Sequence, residues 1–360
     1  MGGKIQFRLL PFRLMPKYRS NTFWKKRRVF VTGATGFLGS WLTKMLVAKG
    51  AEVTVLVRNQ NRPSDLFLSG TNEKISLVIG AVEEFPQILN ALATQKSEVI
   101  FHLASTNINR GNEDSPLNIF ETNVRGTYNI LEAYRSKLNN KGCLITASSS
   151  EVLKSSIDTE TEHDGKTGEH PYSASKKCAE MICKTFRDTY NTNVITIRLP
   201  NVYGGGDFNR ARIVPSVIYD ILQNRNPVIK TEDNLSRRYV YVEDLVRALL
   251  LVAEHHFSSF AENAEYEFNQ KEAISTIDLV TRIIAVSGQT HLYPAIQART
   301  NVHHTLVKQR PLGYVEDLCW IPEITLDKGL SKALDWYRNY LEQTSLEQEN
   351  LVQHVPEDVV

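Results

Sequence analysis

The chain has 360 residues, of which 42% are hydrophobic and 23% are charged, and its formal net charge at pH 7 is +2. These values are typical of a soluble globular protein, and the small net charge gives no reason to expect nucleic acid or a membrane surface as a partner. No apolar run approaches the ~18 residues that a membrane-spanning helix requires.

The four cysteines contain no CxxC pair, which favours reduced thiols and a cytoplasmic location over a disulfide framework. The histidine pairs lack further ligands at metal spacing, so we expect no metal site. Residues 1–27 form a basic leader, because no acidic residue precedes Glu52 and two prolines interrupt the segment. We expect this leader to pack loosely on the domain rather than to act as a targeting signal.

From residue 28 to residue 200, short β-branched runs alternate with helical stretches. The predicted strands are Arg28–Thr32, Glu52–Val57, Ile75–Ile79, Val99–Leu103, Cys143–Ala147 and Val194–Leu199. The predicted helices are Gly39–Lys49, Phe85–Ala93, Leu117–Leu138 and Tyr172–Tyr190. This alternation predicts βαβ units and therefore an α/β fold, a Rossmann doubly wound parallel sheet with helices on both faces.

The pattern changes in residues 201–345, where a glycine-rich loop at Gly204–Asp207 precedes a predicted helix at Val214–Gln223. We interpret residues 201–345 as a smaller α/β lobe that binds the substrate and is interleaved with the Rossmann domain near residues 240–260. This lobe is expected to close over the carboxyl edge of the sheet, where open α/β sheets bind ligands. Residues 346–360 are predicted to be a frayed polar tail.

The first predicted strand leads into a helix through a GxxGxxG motif at Gly33, Gly36 and Gly39. Glycines there permit a tight turn and a close backbone approach, and they leave a helix N-terminus directed at a pyrophosphate. The motif therefore predicts a dinucleotide cofactor, NAD or NADP. The predicted cofactor-binding residues of this turn are Thr32, Gly33, Thr35, Gly36, Phe37, Leu38 and Gly39.

The end of the second predicted strand bears on which dinucleotide binds. An acidic residue that binds the ribose is expected about 20 residues after the glycines. This strand ends instead in Arg58 and Asn59, with no carboxylate. An arginine can pair with a 2′-phosphate, so NADP is favoured over NAD, and the alternative is that Arg58 is a solvated residue at a strand end.

Tyr172 and Lys176 lie one helical turn apart at the start of a predicted helix and face the same way. A lysine ammonium near a phenol lowers the pKa of the phenol, which would make Tyr172 a usable base. A serine-rich strand end, Ser148–Ser150 followed by Glu151, lies some 20 residues upstream. Together these residues indicate proton-transfer chemistry beside the cofactor.

With these motifs the chain resembles an extended short-chain dehydrogenase/reductase of the nucleotide-sugar epimerase/dehydratase family. The similarity covers about residues 24–342. The segments that carry it are TGATGFLG at 32–39, FHLAS at 101–105, TNVRGT at 122–127, SSSEV at 148–152, YSASK at 172–176, RLPNVYGGGD at 198–207, RRYVYVEDL at 237–245 and LDKGLSKALDWY at 326–337. The Phe23-Trp24 pair and the GGGDFNRARIVP stretch are most similar to CDP-glucose 4,6-dehydratases.

The resemblance implies a nucleotide-sugar substrate and a role for each matching residue. Ser149 and Tyr172 would bind the sugar 4-hydroxyl, and Lys176 would also hold the nicotinamide ribose. The residues that would grip the nucleotide diphosphate are Asn201, Arg212 and Arg237. The signature segments add further cofactor-binding residues, Leu103, Ala104, Ser105 and Asn123.

Enzymes of this type begin by oxidising the sugar at C4, and neighbouring groups decide the next step of the reaction. We rank a 4,6-dehydratase first, because Glu151 could remove the C5 proton that the C4 ketone makes acidic. CDP-glucose dehydratases usually carry Asp-Lys where this chain has Ser150 and Glu151, so a 4-epimerase and a UDP-glucuronate-type decarboxylase remain alternatives. A catalytically silent dinucleotide sensor or scaffold is the alternative outside enzymes.

Two predicted helices, Leu117–Leu138 and Tyr172–Tyr190, carry more apolar residues than one buried face requires. Examples are Ile119, Tyr128, Ile182 and Phe186. In the family that this chain resembles, the equivalent helices often form a four-helix interface between two copies. We therefore expect a two-fold homodimer.

Overall fold

A computed structural model of the chain describes residues 22–61, 63–106, 115–138, 141–153, 170–229, 236–258, 260, 264–270, 272–297, 318 and 320–353. The first 21 residues of the expected basic leader lie outside the described residues. For residues 346–353 the backbone alone is described.

The centre of the molecule is a seven-stranded parallel sheet in the order β10-β6-β5-β4-β1-β2-β3. Its strands are β1 (Arg28–Thr32), β2 (Glu52–Val57), β3 (Ser76–Ile79), β4 (Val99–His102), β5 (Cys143–Ser149), β6 (Val194–Leu199) and β10 (Glu265–Glu267). The predicted α/β fold with a doubly wound parallel sheet is confirmed. The six predicted strands are confirmed with their ends within two residues of the predicted ends.

The central strands are apolar on both faces, as helices on both sides of a parallel sheet require. Val29 and Val31 of β1 belong to one hydrophobic cluster, whereas Phe30 between them belongs to the cluster on the opposite face. The larger cluster continues from β1 into the second half of the chain through residues such as Leu249 and Leu334, so the apolar core there is continuous with that of the sheet.

The helices are α1 (Phe37–Ala48), α2 (Asp65–Leu68), α3 (Phe85–Gln95), α4 (Pro116–Phe120), α5 (Gly126–Leu138), α6 (Pro171–Tyr190), α7 (Ile213–Leu222), α8 (Val242–His256), α9 (Thr276–Ser287) and α10 (Leu326–Gln353). The predicted helix Leu117–Leu138 is confirmed, because α4, a π-helical turn at Glu121–Arg125 and α5 follow one another without a break; the π-helical turn itself was not predicted. Such turns widen a helix locally and often occur at functional sites.

The chain after β6 contributes to the central sheet as well as forming two short parallel pairs. β7 (Asn201–Tyr203) pairs with β9 (Tyr239–Tyr241), and β8 (Val228–Ile229) pairs with β11 (Ala295–Ile296). β10 instead returns to the central sheet and extends it beside β6. α10 runs to Gln353 and so includes residues 346–353 of the predicted tail, where glutamate, glutamine and leucine favour helix; the fraying of this tail stays a prediction.

Candidate active site

The glycine turn between β1 and α1 is so closely packed that side chains are excluded from it. Gly33 has a φ of +75°, and a Cβ atom there would lie 2.6 Å from the amide nitrogen of Ala104. A Cβ atom on Gly39 would lie 2.1 Å from the carbonyl oxygen of Gly33. The amino end of α1 carries no side-chain cap and no acidic residue in its first turn. Its N–H groups can therefore bind an anion such as a pyrophosphate.

This turn lies at the point where the order of the strands reverses. From β1 the chain proceeds to β2 and β3 on one side, and it then crosses to β4 on the other side of β1. Open α/β sheets bind ligands in the crevice at such a point. Leu103, Ala104 and Ser105 follow β4 at the same edge, and the amides of Leu103 and Ala104 donate to the backbone and side-chain oxygens of Thr32. The structure thus brings together the two predicted cofactor segments.

Asn123, in the π-helical turn, connects the segment after β4 to helix α6. Its amide nitrogen donates to the Thr106 carbonyl and the Ser175 hydroxyl, both at 2.9 Å. Its amide oxygen accepts from the Ser105 hydroxyl at 3.0 Å and from the Thr106 amide at 2.8 Å. The side chain is buried and its amide already makes four hydrogen bonds, so its geometry suits the positioning of Ser105 and Thr106. Sequence reasoning missed Thr106, which lies just after the FHLAS segment, and Ser175, which lies within the YSASK segment but was given no role.

His102, at the end of β4, is a buried member of the same network. Its ring nitrogens lie 2.8 Å from the Thr32 hydroxyl and 3.2 Å from the Thr127 hydroxyl. Burial, and secondarily the positive charge of Lys176, lowers the pKa of His102 to about 3. The imidazole is therefore neutral at physiological pH, and it joins β1 to α5 without contributing charge.

Tyr172 lies in the first turn of α6, where the His170 ring accepts its backbone N–H. Its phenol hydrogen-bonds to the hydroxyls of Ser149 and Ser105, which lower its pKa together with the charge of Arg212. Burial has a larger effect than these groups and raises the pKa of Tyr172, and the Glu151 carboxylate acts in the same direction as burial. The structure thus brings Ser149, Glu151 and Arg212 around the phenol.

Lys176 is buried one turn further along α6. Its ammonium donates to the carbonyl oxygen of Ala147 at 2.9 Å and lies 5.9 Å from the centre of the Tyr172 ring. Burial lowers the pKa of Lys176 to about 8. The prediction that Lys176 lowers the pKa of Tyr172 is wrong for this structure, because the ammonium is directed at a backbone carbonyl and burial dominates the titration of the phenol.

Glu151 follows β5 in a 3-10 turn at Ser150–Leu153, and its backbone N–H donates to the Ser149 hydroxyl at 3.2 Å. Its side chain is exposed at the mouth of the site. β5 ends at Ser149, two residues later than predicted, so Ser149 occupies the carboxyl edge of the sheet. This arrangement places a hydroxyl and a carboxylate next to the Tyr172 phenol.

The three predicted diphosphate-binding residues lie on different elements. Arg212 precedes α7 and pairs with the buried Asp207 carboxylate at 3.0 Å. Asn201 begins β7 and donates to the carbonyl of Arg238 at 3.3 Å. Arg237 exchanges backbone hydrogen bonds with Ile274, and its side chain hydrogen-bonds to Tyr239. Of the three, Arg212 acts on the titration of Tyr172.

Arg58 follows β2 directly at the carboxyl edge of the sheet, and its side chain is exposed. Among the residues that the structure describes, no group of three or more histidine, cysteine, aspartate or glutamate side chains could hold a metal ion. In the same part of the chain no helix combines the length and apolarity needed to cross a membrane.

A parallel sheet with a glycine turn at its switch point, and a Ser-Tyr-Lys set beside that turn, defines a dinucleotide-binding protein of the short-chain dehydrogenase/reductase type. Residues 29–266 match the model of the NAD dependent epimerase/dehydratase family. The chain belongs to this family. The expected resemblance is thereby confirmed.

Two relatives illustrate how divergent the family is. The chain is 25% identical over 334 residues to CDP-glucose 4,6-dehydratase of Salmonella typhimurium, a match that covers 89% of this chain and 92% of the relative. It is 26% identical over 334 residues to UDP-N-acetyl-alpha-D-glucosaminuronate decarboxylase of Bacillus cytotoxicus, covering 87% and 98%. At this level of identity the relatives differ in the reaction that their names state.

Solved structures show the same fold. The UDP-glucose 4-epimerase of Thermotoga maritima with UDP-glucose has a TM-score of 0.72 at 22% identity and covers 87% of this chain and 99% of its own. The dTDP-glucose 4,6-dehydratase of Bacillus anthracis with NAD has a TM-score of 0.69 at 19% identity, covering 88% and 98%.

The lowered pKa of Lys176 predicts how stability depends on pH. Between the folded pKa of about 8 and the unfolded value of 10.5, the unfolded chain binds more protons, so Lys176 makes the folded state more stable as pH rises. Lys176→Met should abolish this contribution. Measured by urea unfolding, the stability of the unmutated protein relative to Lys176→Met should increase by about 2–3 kcal/mol from pH 7 to pH 10. A difference independent of pH would show that Lys176 titrates normally.

Proposed function

We propose that the protein is an NAD(P)-dependent nucleotide-sugar 4,6-dehydratase that acts through a transient 4-keto sugar. The observation that carries the proposal is the clustering of Ser149, Tyr172 and Glu151, in which the Glu151 carboxylate is near enough to raise the pKa of the phenol. The similarity to CDP-glucose 4,6-dehydratase supports the same reaction. In this proposal residues 28–200 hold the cofactor and residues 201–345 hold the substrate.

The first half-reaction is the oxidation of the sugar at C4. Ser149 binds the 4-hydroxyl, and Tyr172 removes its proton as the C4–H bond breaks. A nicotinamide cofactor, which the glycine turn and Lys176 would hold, would supply hydride-transfer chemistry and a positive charge to the site. Because burial raises the pKa of Tyr172 in the empty site, the phenol loses its proton only when positive charge lies beside it. Arg212 supplies part of that charge.

The second half-reaction is the elimination of water across C5 and C6. The C4 ketone makes the C5 proton acidic, and the Glu151 carboxylate removes it. Ser150 stands where CDP-glucose dehydratases usually carry an aspartate, so Glu151 is the carboxylate of this turn. Glu151 then passes the proton that it took from C5 to the departing C6 oxygen. C5 then regains a proton from solvent. The C5 proton and the proton of the C6 hydroxyl itself make up the water, and the proton that Tyr172 took from O4 and releases to solvent balances the one that C5 regains.

Two other reactions start from the same 4-keto sugar. A 4-epimerase would return hydride after the sugar rotates, and a decarboxylase would lose carbon dioxide from a uronic acid. One relative is named as a decarboxylase, so decarboxylation remains an alternative reaction. A silent dinucleotide sensor is disfavoured, since the hydrogen bonds from Ser149 and Ser105 to Tyr172 serve proton transfer and have no use in cofactor binding alone.

Two variants separate the half-reactions. Tyr172→Phe should leave dinucleotide binding intact and lower turnover by about 10²–10⁴-fold, because it removes the group that takes the proton from O4. Glu151→Gln should still allow oxidation, so reduced cofactor and bound 4-keto sugar should accumulate in a single-turnover absorbance experiment. Turnover of the Tyr172→Phe protein close to that of the unmutated enzyme would eliminate Tyr172 as the base.

The product identifies the reaction directly when the unmutated enzyme runs in deuterated water with a panel of nucleotide-sugars. A dehydratase forms a product that has lost water and carries solvent deuterium at C5. An epimerase gives unchanged mass and leaves C5 untouched, and a decarboxylase loses carbon dioxide. Product of unchanged mass without C5 deuterium, formed equally well by Glu151→Gln, would replace the dehydratase with the epimerase.

The exposed Arg58 supports the further proposal that the cofactor is NADP rather than NAD. Its position after β2 is where a 2′-phosphate would lie, and a charge-assisted contact there contributes about 1.5–3 kcal/mol. NADP should therefore bind roughly 10- to 150-fold more tightly than NAD, and Arg58→Ala should remove most of the difference. Isothermal titration measures both affinities. Equal affinities of the unmutated protein for NADP and NAD would show that Arg58 is a solvated residue that does not bind a 2′-phosphate.

The homodimer also remains a proposal, and the structure changes the residues that support it. Ile119 is fully buried, and Ile182 and Phe186 pack against the core. Of the four residues that suggested an interface, Tyr128 alone is exposed. Three other side chains on α4 and α6, which pack against each other, are strongly exposed: Leu117 at 65%, Phe120 at 36% and Met181 at 68%. We propose that these residues contact a second copy of the chain.

A charged residue in this patch should prevent dimer formation. Met181→Lys places an ammonium where the partner would remove water, so the mass by light scattering at micromolar concentration should fall from that of a dimer to that of a monomer. Ile321→Lys is the matched control, because Ile321 is 67% exposed and lies outside the patch. A monomeric mass for the unmutated protein would contradict the proposal.

A further inference from the structure

The loop Gly204–Asp207 is held between the cofactor helix and the last helix of the chain. On one side, the indole nitrogen of Trp41 in α1 donates to the carbonyl oxygen of Gly205 at 2.8 Å. On the other side, the hydroxyl of Tyr337 in α10 donates to the carbonyl oxygen of Asp207 at 2.7 Å. The loop therefore has its position fixed by two elements that lie far apart in the sequence.

Close packing leaves this loop little freedom. A Cβ atom on Gly205 would lie 2.3 Å from the Trp336 ring, and one on Gly204 would lie 2.6 Å from the Val242 side chain. Phe208, directly after the loop, packs edge-on against Trp336. Tyr337 is fully buried, so its hydroxyl cannot exchange the Asp207 carbonyl for water without a local opening.

Asp207 transmits this position to Arg212. Its carboxylate is buried, accepts the Asn209 backbone N–H at 3.1 Å and accepts the Arg212 guanidinium at 3.0 Å. The guanidinium side chain is still 49% exposed and acts on Tyr172, so its remaining N–H donors are available to a ligand beside the phenol. Asp207 thus holds Nη1 of the guanidinium, and among the residues that the structure describes this is the side-chain hydrogen bond recorded for Arg212.

We propose that Asp207 is a positioning residue that orients Arg212 toward the diphosphate of the nucleotide-sugar, and that Trp41 and Tyr337 hold it in place. This inference rests on the proposed function, because it takes the ligand of Arg212 to be the substrate diphosphate. An arginine whose side chain is ordered before binding loses less conformational entropy when it pairs with phosphate. The contacts from α1 and α10 therefore contribute to the affinity for the substrate through Asp207 and Arg212.

The negative charge of Asp207 would have the opposite effect on the affinity for the diphosphate. It partly neutralises Arg212 and so weakens the attraction between the guanidinium and phosphate. The two effects predict different results for Asp207→Asn. The amide removes the charge and keeps one acceptor oxygen, which can still accept from Arg212, while the hydrogen bond from the Asn209 N–H is lost. If Asp207 acts by position, Asp207→Asn should bind a nucleoside diphosphate about as tightly as the unmutated protein; if it acts by charge, Asp207→Asn should bind more tightly.

Matched tyrosine variants test positioning without removing the charged pair. Tyr337→Phe deletes the hydroxyl that holds Asp207, whereas Tyr203→Phe deletes an equally buried hydroxyl that donates to the carbonyl of Leu326 in α10 at 3.2 Å. Each variant loses one hydrogen bond to a backbone oxygen within the same hydrophobic core cluster. Trp41→Phe removes the indole donor from the other side of the loop.

Binding is measured by isothermal titration calorimetry. The full-length protein is first saturated with NAD or NADP and is then titrated with CDP, UDP or dTDP. Tyr337→Phe and Trp41→Phe should each weaken binding of the preferred diphosphate by about 3- to 10-fold, and Tyr203→Phe should leave it unchanged. Affinity for the dinucleotide alone should not change in Tyr337→Phe or Tyr203→Phe. In turnover assays KM for the nucleotide-sugar should rise while kcat is retained.

Arg212→Ala separates failure of this inference from failure of the proposed function. If Arg212→Ala weakens diphosphate binding and Tyr337→Phe does not, the positioning role is refuted and the substrate assignment stands. If Arg212→Ala leaves binding unchanged, the assignment of Arg212 to the diphosphate is refuted, and the positioning role with it. Tighter binding by Asp207→Asn, or equal weakening by Tyr203→Phe and Tyr337→Phe, would also overturn the positioning role.

Discussion

The rest of the site depends on the absence of a side chain at two glycines. α1 approaches the end of β1 so closely that the Gly33 carbonyl occupies the space of a Cβ atom on Gly39. This contact fixes the direction in which the uncapped amino end of α1 points. That end lies at the edge of the sheet where the chain leaves the neighbouring strands β1 and β4. The segment after β4, Asn123 in the π-helical turn and the start of α6 are then held around the same crevice by hydrogen bonds to Thr32, Ser105 and Ser175.

Burial sets the electrostatics of this crevice in a direction that opposes the expected chemistry. It raises the pKa of the Tyr172 phenol and lowers that of the Lys176 ammonium to about 8. Both shifts favour the neutral forms, as desolvation does for any ionisable group. In a site of this kind the Tyr172 phenol keeps its proton while the site is empty. It releases the proton when a positive charge and a substrate hydroxyl arrive together. Burial would thereby tie proton transfer to occupancy of the site.

The sequence was sufficient for the features that depend on local pattern. Buried apolar runs define the central strands, glycine spacing defines the cofactor turn, and a spacing of four places Tyr172 and Lys176 on one face of α6. Contacts between distant segments could not be foreseen. The four hydrogen bonds of Asn123 and the links from Trp41 and Tyr337 to the loop Gly204–Asp207 depend on how elements pack, which no local pattern encodes.

The same limit explains the errors and omissions. Leu117–Leu138 is helical throughout, as its pattern predicts, and nothing in that pattern signals the extra residue of a π turn. The apolar residues cited for the interface include Ile119, which faces the core, because amphipathic pattern alone does not identify which stripe a neighbouring helix covers. The pKa of Tyr172 depends first on burial and then on Glu151, Ser149 and Arg212, none of which the helical spacing to Lys176 encodes.

The pairing of β10 with β6 has a consequence for how the chain reaches its native state. Ile197 and Tyr266 are paired across the sheet although they are separated by roughly 70 residues, so loop closure between them slows the completion of the sheet. A nascent chain that ends before β10 would expose β6 as an edge strand containing the apolar residues Val194, Ile195 and Ile197. During synthesis the protein is thus most exposed to aggregation in the interval before β10 leaves the ribosome, and the two halves of the chain gain their stability together.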